Sequence, residues 1–400
     1  MNRRLLRTAV TLGLISAIGP FAIDMYLPAL PSIGQTLHAG SSAVQLTLTA
    51  FFIAVSIGQP VCGPLSDMYG RKLPLYVGLT LFAAGSLGCA LAPNVETLIA
   101  FRFVQGLGAC AGMVIPRAVV RDLHTGIEAA RLMSMLMLVF SISPILAPLT
   151  GSFAIQLGSW RAVFWTVLVA ALIGLAIAGS LPETRPAEAR ARSSLGSALR
   201  AYGALLRDRH FLGLTCVGAF GLGSFFVYLG NSPFVLIGYY HLSPRLYSLC
   251  FALNAAAFIA TAQLTAALAF RFGLRLLVRR AVTVYGVILL ALLAAFLAGV
   301  DHLGLLLAAL FFGFGCLGLV LPGTTVLALE EHGPISGTAS ALMGTVQFAL
   351  GALLMFFVST LARGTPLPMI AGIAACATLA FAFAQLATRT PQMAAHPAAD

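Results

Sequence analysis

Two residues of this chain stand where their chemistry is hardest to place. Asp24 interrupts an apolar run, Ile18-Gly-Pro-Phe-Ala-Ile-Asp24-Met-Tyr-Leu-Pro28, and Arg102 lies within another. A charge inside a bilayer is costly unless paired or hydrated, so each marks a functional group by default. A carboxyl whose distance from a guanidinium can change is able to take up and release a proton. The plainer readings are that Asp24 ends its helix at an interface, with Pro28 and Pro31 following, and that Arg102 snorkels to lipid headgroups.

The surroundings are apolar because the whole chain is. Its 400 residues are 60% hydrophobic and 9% charged, with a mean hydropathy of +0.97. Soluble domains carry about 25% charged residues. So few charges cannot cover a water-facing surface, which excludes a soluble enzyme or nucleic-acid binder. The net charge of +11 speaks of association rather than fold. Here the basic residues punctuate apolar runs, and anionic lipid headgroups are their expected neighbours. Seven cysteines all fall in apolar runs without metal-ligand spacing, so neither a disulfide framework nor a metal site is expected.

A spanning helix needs about 20 mostly apolar residues. Twelve such pieces occur, near 8–28, 43–63, 73–92, 97–119, 131–153, 161–181, 211–236, 246–269, 276–299, 303–328, 336–361 and 367–388. The fold class is therefore an all-α integral membrane protein. The arginine-rich segment 182–209 divides it into an N-terminal six-helix bundle, 1–181, and a C-terminal one, 210–400. Two halves around a midplane site is a common plan for secondary transporters. Eighteen of the 23 basic residues fall in segments on the N-terminal side of the membrane, which predicts that both termini are cytoplasmic. At a rise of ~1.5 Å per residue, Asp24 lies about 24 Å from the inner start of its span, and Arg102 about 8 Å from the outer start of its own. In a ~30 Å core both sit in the outer half, at one depth. Arg117, near the inner end of the same span, reads as an interfacial anchor.

Gly63-Pro64-Leu65-Ser66-Asp67-Met68-Tyr69-Gly70-Arg71-Lys72 resembles the signature loop of the major facilitator superfamily. The resemblance implies a tight cytoplasmic turn at Gly63 and Gly70, and a conformational latch built on Asp67, Arg71 and Lys72. Met68 stands where the pattern is often basic. Arg102-Phe-Val-Gln105-Gly-Leu-Gly-Ala109 is similar to the motif whose arginine is tied to proton coupling in drug/proton antiporters. Pro144-Ile-Leu-Ala-Pro148-Leu-Thr-Gly151 is similar to the antiporter kink, with Ala147 and Thr150 in place of glycines. The runs Ile23–Pro31, Gln45–Leu48, Leu181–Thr184, Phe251–Asn254 and Gly337–Ala341 resemble the Bcr/CflA branch, which exports bicyclomycin and chloramphenicol. In that branch the acid at Asp24 handles substrate and proton, with Arg102 as companion.

Such an exporter needs an apolar, adaptable pocket with few polar anchors. The candidates are Asp24, Tyr26, Met113, Met137, Phe225, Tyr228, Asn231 and Asn254. The expected activity is proton-coupled export of small amphipathic antibiotics across the bacterial inner membrane by alternating access. The alternative is proton-coupled uptake of a small metabolite. No enzymatic activity, cofactor or nucleic-acid partner is expected. The expected partners are a drug, protons and lipids, and the expected state is a monomer.

Overall fold

In hydrocarbon every backbone N–H and C=O must be satisfied within the chain, and an α-helix does so within one segment. The computed structural model describes residues 3–123, 126–156, 158–191, 195–362 and 365–387, and these are overwhelmingly helical. The long helices are α1 (Arg3–Asp24), α2 (Ser41–Tyr69), α3 (Lys72–Leu91), α4 (Val95–Leu123), α5 (Gly126–Gln156), α6 (Arg161–Gly179), α7 (Arg209–Pro233), α8 (Pro244–Phe272), α9 (Leu274–Leu297), α10 (Leu303–Leu329), α11 (Ser336–Leu361) and α12 (Leu367–Ala387). They correspond to the twelve spans expected from the sequence. Among the described residues, eleven stretches are each long and apolar enough to cross a bilayer, and α5 contributes the apolar stretch Ile142–Gln156.

Packing stays largely within each set of six. In the first, α4 holds α1, α2 and α3 together, while α6 rests on α1 and α3. In the second, α7 packs on α10, α11 and α12, and α9 on α10 and α12. Two seams join the sets, α2 against α11 and α5 against α8. The first seam runs from Ser42 to Ser56 of α2 and from Ser359 to Thr345 of α11. Ser42 Oγ donates to Ser359 O at 2.8 Å, the Phe52 and Phe348 rings lie 5.9 Å apart, and Ser56 Oγ donates to Thr345 O at 3.1 Å. The end of the bundle at which α1 begins is called the near end below, and the opposite end the far end.

Two local features differ from expectation. The turn expected at Gly63 is not there: α2 runs on through Gly63 and Pro64 to Tyr69. Only Gly70 turns, at φ +90°, a conformation that glycine adopts without steric penalty. The segment expected as a linker also contains two short helices, Ala187–Ala191 and Leu195–Leu205. The second is tied to α2 by proline chemistry. Pro64 has no N–H to offer the carbonyl four residues back, and that carbonyl, Pro60 O, accepts from the Tyr202 hydroxyl at 3.3 Å.

Candidate functional site

The first spanning segment is discontinuous. Helix α1 stops at Asp24, and the chain continues through a 3-10 turn, Leu27–Ala29, into a short helix, Leu30–Thr36. Met25 to Leu30 are all buried, so the break lies inside the protein rather than at its surface. Its two prolines, Pro28 and Pro31, each lie at the start of a new short helix, where a missing N–H costs nothing. Ending a helix inside a protein leaves its last carbonyls without intrahelical donors and its negative dipole end exposed.

Arg102 answers that break. It is fully buried, so it does not snorkel. Its Nη1 donates to Ala22 O at 3.4 Å and to Gln105 Oε1 at 2.6 Å. Gln105 is held in turn by Ser86 Oγ, which accepts from its amide at 2.8 Å. The guanidinium carbon lies 4.6 Å from the Tyr26 ring centroid and 4.4 Å from that of Phe51. A desolvated cation between ring faces gains about 2 kcal/mol from each good contact. Asp24, the expected companion of Arg102, is not among these partners. Among the described residues no ion pair joins the two: Nη1 is spent on Ala22 O and Gln105, and Nε and Nη2 are buried between the rings without a hydrogen-bond partner. Tyr26, expected at the drug cavity, is part of this cage instead. It is fully buried and its hydroxyl bonds Thr47 Oγ1 at 2.8 Å.

The Asp24 carboxyl faces the other way, toward the seam between the halves. Ser143 Oγ of α5 donates to its Oδ2 at 3.5 Å, and Tyr247 of α8 lies within electrostatic reach. Gly151 lets α5 come this close, since a Cβ there would collide with the Met25 carbonyl. Pro144 and Pro148 lie within the same stretch of α5, and Pro148 O accepts from Ser248 Oγ of α8 at 2.9 Å. The three residues expected at the antiporter kink therefore sit where α1, α5 and α8 meet.

Beyond Tyr247 the second half presents an aromatic box. Tyr228 is stacked on Phe251 at 5.7 Å and tilted against Phe314 at 5.0 Å, with Phe225 5.7 Å from Phe314. Asn254 donates to the Tyr228 hydroxyl at 3.0 Å. Phe225, Tyr228 and Asn254, three of the residues expected to line a cavity, are thus brought together. Asn231 is not with them. It lies at the far-end seam, where Gln45 Nε2 donates to its Oδ1 at 3.2 Å and to Gly230 O at 2.9 Å. Met113 packs toward Gly19 of α1. The side chain of Met137 lies outside the described residues.

At the near end the residues expected to form a latch, Asp67, Arg71 and Lys72, meet partners that their own motif does not contain. Arg71 Nη1 lies 2.7 Å from Asp67 Oδ1 and donates to Ser66 Oγ at 2.7 Å. Its Nε and Nη2 take both oxygens of Asp122, at the end of α4, at 2.7 and 3.2 Å. Such bidentate pairs add geometric specificity to charge. Glu183, beyond α6, accepts from the backbone N–H groups of Arg71 at 2.9 Å and Lys72 at 3.1 Å. It therefore fills the donor-rich N-terminus of α3. Partial burial pushes its carboxyl up, but the N–H groups of Arg185, Arg71 and Lys72, with the Arg190 charge, outweigh this and hold it below the usual range. Asp122 and Glu183 were not identifiable from the motif. The available signal was that each is an acid next to basic residues just past a span.

A family model described as Major Facilitator Superfamily matches residues 12–356. The chain is 30% identical over 384 residues to the chloramphenicol resistance protein of Pseudomonas aeruginosa, covering 93% of this chain and 88% of that one. It is 28% identical over 371 residues to a bicyclomycin resistance protein homolog of Haemophilus influenzae, covering 92% and 93%. Among solved structures, that of a D-xylose-proton symporter superposes with a TM-score of 0.73 over 95% of this chain and 96% of that one, at 16% identity.

Proposed function

The chain belongs to the major facilitator superfamily, in its Bcr/CflA drug/proton antiporter branch, and on that premise we propose that it exports small amphipathic antibiotics in exchange for protons. The observation that carries the reading is the position of Asp24. It is 5% exposed and sits at a break in α1, against α5 and beside α8, so any rocking of one half on the other changes its surroundings. The aromatic box of Phe225, Tyr228, Phe251 and Phe314 supplies adaptable apolar walls, and Asn254 one polar anchor. Such a lining suits a neutral, amphipathic molecule of the kind named for the relatives better than a hydrophilic one.

In this reading the two six-helix halves, 1–181 and 210–400, are the moving bodies, joined by 182–209. The near end is cytoplasmic, the membrane is the bacterial inner membrane, and the transporter works as a monomer. Proton release from Asp24 accompanies drug entry, and reprotonation from outside accompanies drug release. Arg102 does not neutralise Asp24 directly. It holds the broken end of α1, and with it the carboxyl, in place.

The test is drug-evoked proton release by purified protein, with amphenicols, bicyclomycin and a sugar as control. Release with the antibiotics but not the sugar supports export. Proton uptake driven by the sugar alone would replace export with symport.

A further inference from the structure

We propose that the near end of α9 is a binding site for an anionic phospholipid. The two halves repeat one feature here, a positive-φ glycine between consecutive long helices: Gly70 at φ +90° before α3 and Gly273 at φ +80° before α9. The basic residues around the two glycines are treated differently. In the first half Arg71 is held by Asp67 and Asp122, and Glu183 covers the helix start. In the second half Arg271, Arg275, Arg279 and Arg280 cluster within ten residues. Among the described residues no carboxylate lies within ion-pair distance of any of them.

The surface around these arginines has the shape and polarity of a lipid. Arg279, Arg280 and Thr283 border a crevice of about 370 Å³ with Leu276 and Val284. Through Leu276 it adjoins a second crevice of about 750 Å³ lined by Arg275, Val326, Leu327 and Glu330 among others. The face is lipid-facing by helical register. Leu277, Val278, Ala281, Val282 and Tyr285 turn inward and are buried, while Leu276, Arg279, Arg280, Val284 and Val287 point outward and are exposed. Arg275, Arg279 and Arg280 occupy the first two turns of α9, Leu276 lies among them, and the exposed Val284 and Val287 continue toward the bilayer centre. At ~1.5 Å per residue, Arg280 lies about 9 Å beyond Leu274, the depth of the headgroup layer and its acyl boundary. The occupant thus needs an anionic head for unneutralised guanidinium groups and an apolar tail for the stripe above them. Charge complementarity selects an anionic diacyl phospholipid over a zwitterionic one. The N-terminal N–H groups of α9 add to the attraction for a phosphate.

The experiment is native mass spectrometry of the purified full-length protein with phosphatidylglycerol or phosphatidylcholine, paired with thermal melts. Wild type should retain phosphatidylglycerol preferentially and melt higher in its presence. The triple variant Arg275→Gln/Arg279→Gln/Arg280→Gln should weaken that retention by about fivefold per arginine removed and lose the melting shift. The control Arg200→Gln/Arg207→Gln/Arg209→Gln, which removes the same charge from the linker, should keep both. Should the triple variant fail to fold, Val284→Glu places a negative charge in the same crevice at an exposed position and should give the same loss. Equal retention of the two lipids by wild type, equal loss in the linker control, undiminished retention in the folded α9 variants, or a melting shift reproduced by inorganic phosphate would each overturn the proposal.

Discussion

The Gln45 amide crosses the seam between the two halves at the far end, donating to Asn231 Oδ1 at 3.2 Å and to Gly230 O at 2.9 Å. With Ser42 on Ser359 O and Ser248 on Pro148 O, it joins the halves at that end. All are hydrogen bonds that an opening to the far side must break. Gln45→Ala removes two buried bonds, each worth about 1 kcal/mol net. The population open at the far end should rise roughly tenfold or more. Spin-label distances between the far ends of α2 and α7 measure it. An unchanged distance distribution would remove Gln45 from the gate.

Asp24→Asn keeps the size of the side chain and fixes it neutral. Drug-evoked proton release should disappear while drug binding stays within about threefold, because the aromatic walls are untouched. Wild-type proton release from this variant would transfer the coupling role to another group.

Arg102→Lys tests the cage rather than the charge. Lysine keeps the cation but has no planar face to lie between Tyr26 and Phe51, and it cannot reproduce the guanidinium geometry. Transport should fall at least tenfold at equal membrane abundance. If Arg102 acted on Asp24 only as a point charge, lysine would serve, and transport would persist.

The near-end network should behave as one unit. Arg71→Ala and Asp122→Asn each break the same bidentate pair, so their effects on detergent-solubilised stability should fall short of additive by about 0.5–3 kcal/mol. Simple additivity across the double-mutant cycle would show that the pair contributes no coupling.

Glu183 sets a pH dependence whose sign is defined. Its folded carboxyl is held below the ordinary glutamate range, so the unfolded state binds the proton more readily. The stabilisation is present above the ordinary glutamate pKa and is lost as pH falls through the lowered folded value. The melting temperature of wild type should therefore exceed that of Glu183→Gln at neutral pH, and the two should converge in acid. A gap independent of pH would mean that the side chain acts by shape alone.

Much of this architecture was legible in the sequence because lipid imposes it. Apolar runs of the required length become helices: 73–92 was expected and Lys72–Leu91 is observed, and 161–181 was expected where Arg161–Gly179 forms. The near-end network around Arg71 was legible in part. Asp67 and Arg71 are four residues apart on one helix end, a local spacing. Asp122 and Glu183 reach Arg71 from the ends of α4 and α6, 51 and 112 positions away, and no local pattern pairs residues that far apart.

Composition and charge punctuation alone determine that this is a twelve-span membrane protein with an acid and a guanidinium buried in its first half, because hydrocarbon forces every spanning backbone into a helix and makes each interior charge conspicuous. Depth follows too, since helical rise is constant. Direction does not. A rise per residue places Asp24 and Arg102 at one level but leaves open which way each side chain turns. That was decided by the break in α1, which offers Arg102 the Ala22 carbonyl and turns Asp24 toward Ser143. It was decided equally by the meeting of α1, α5 and α8, because only packing between helices sets which carbonyls, rings and hydroxyls surround a buried charge.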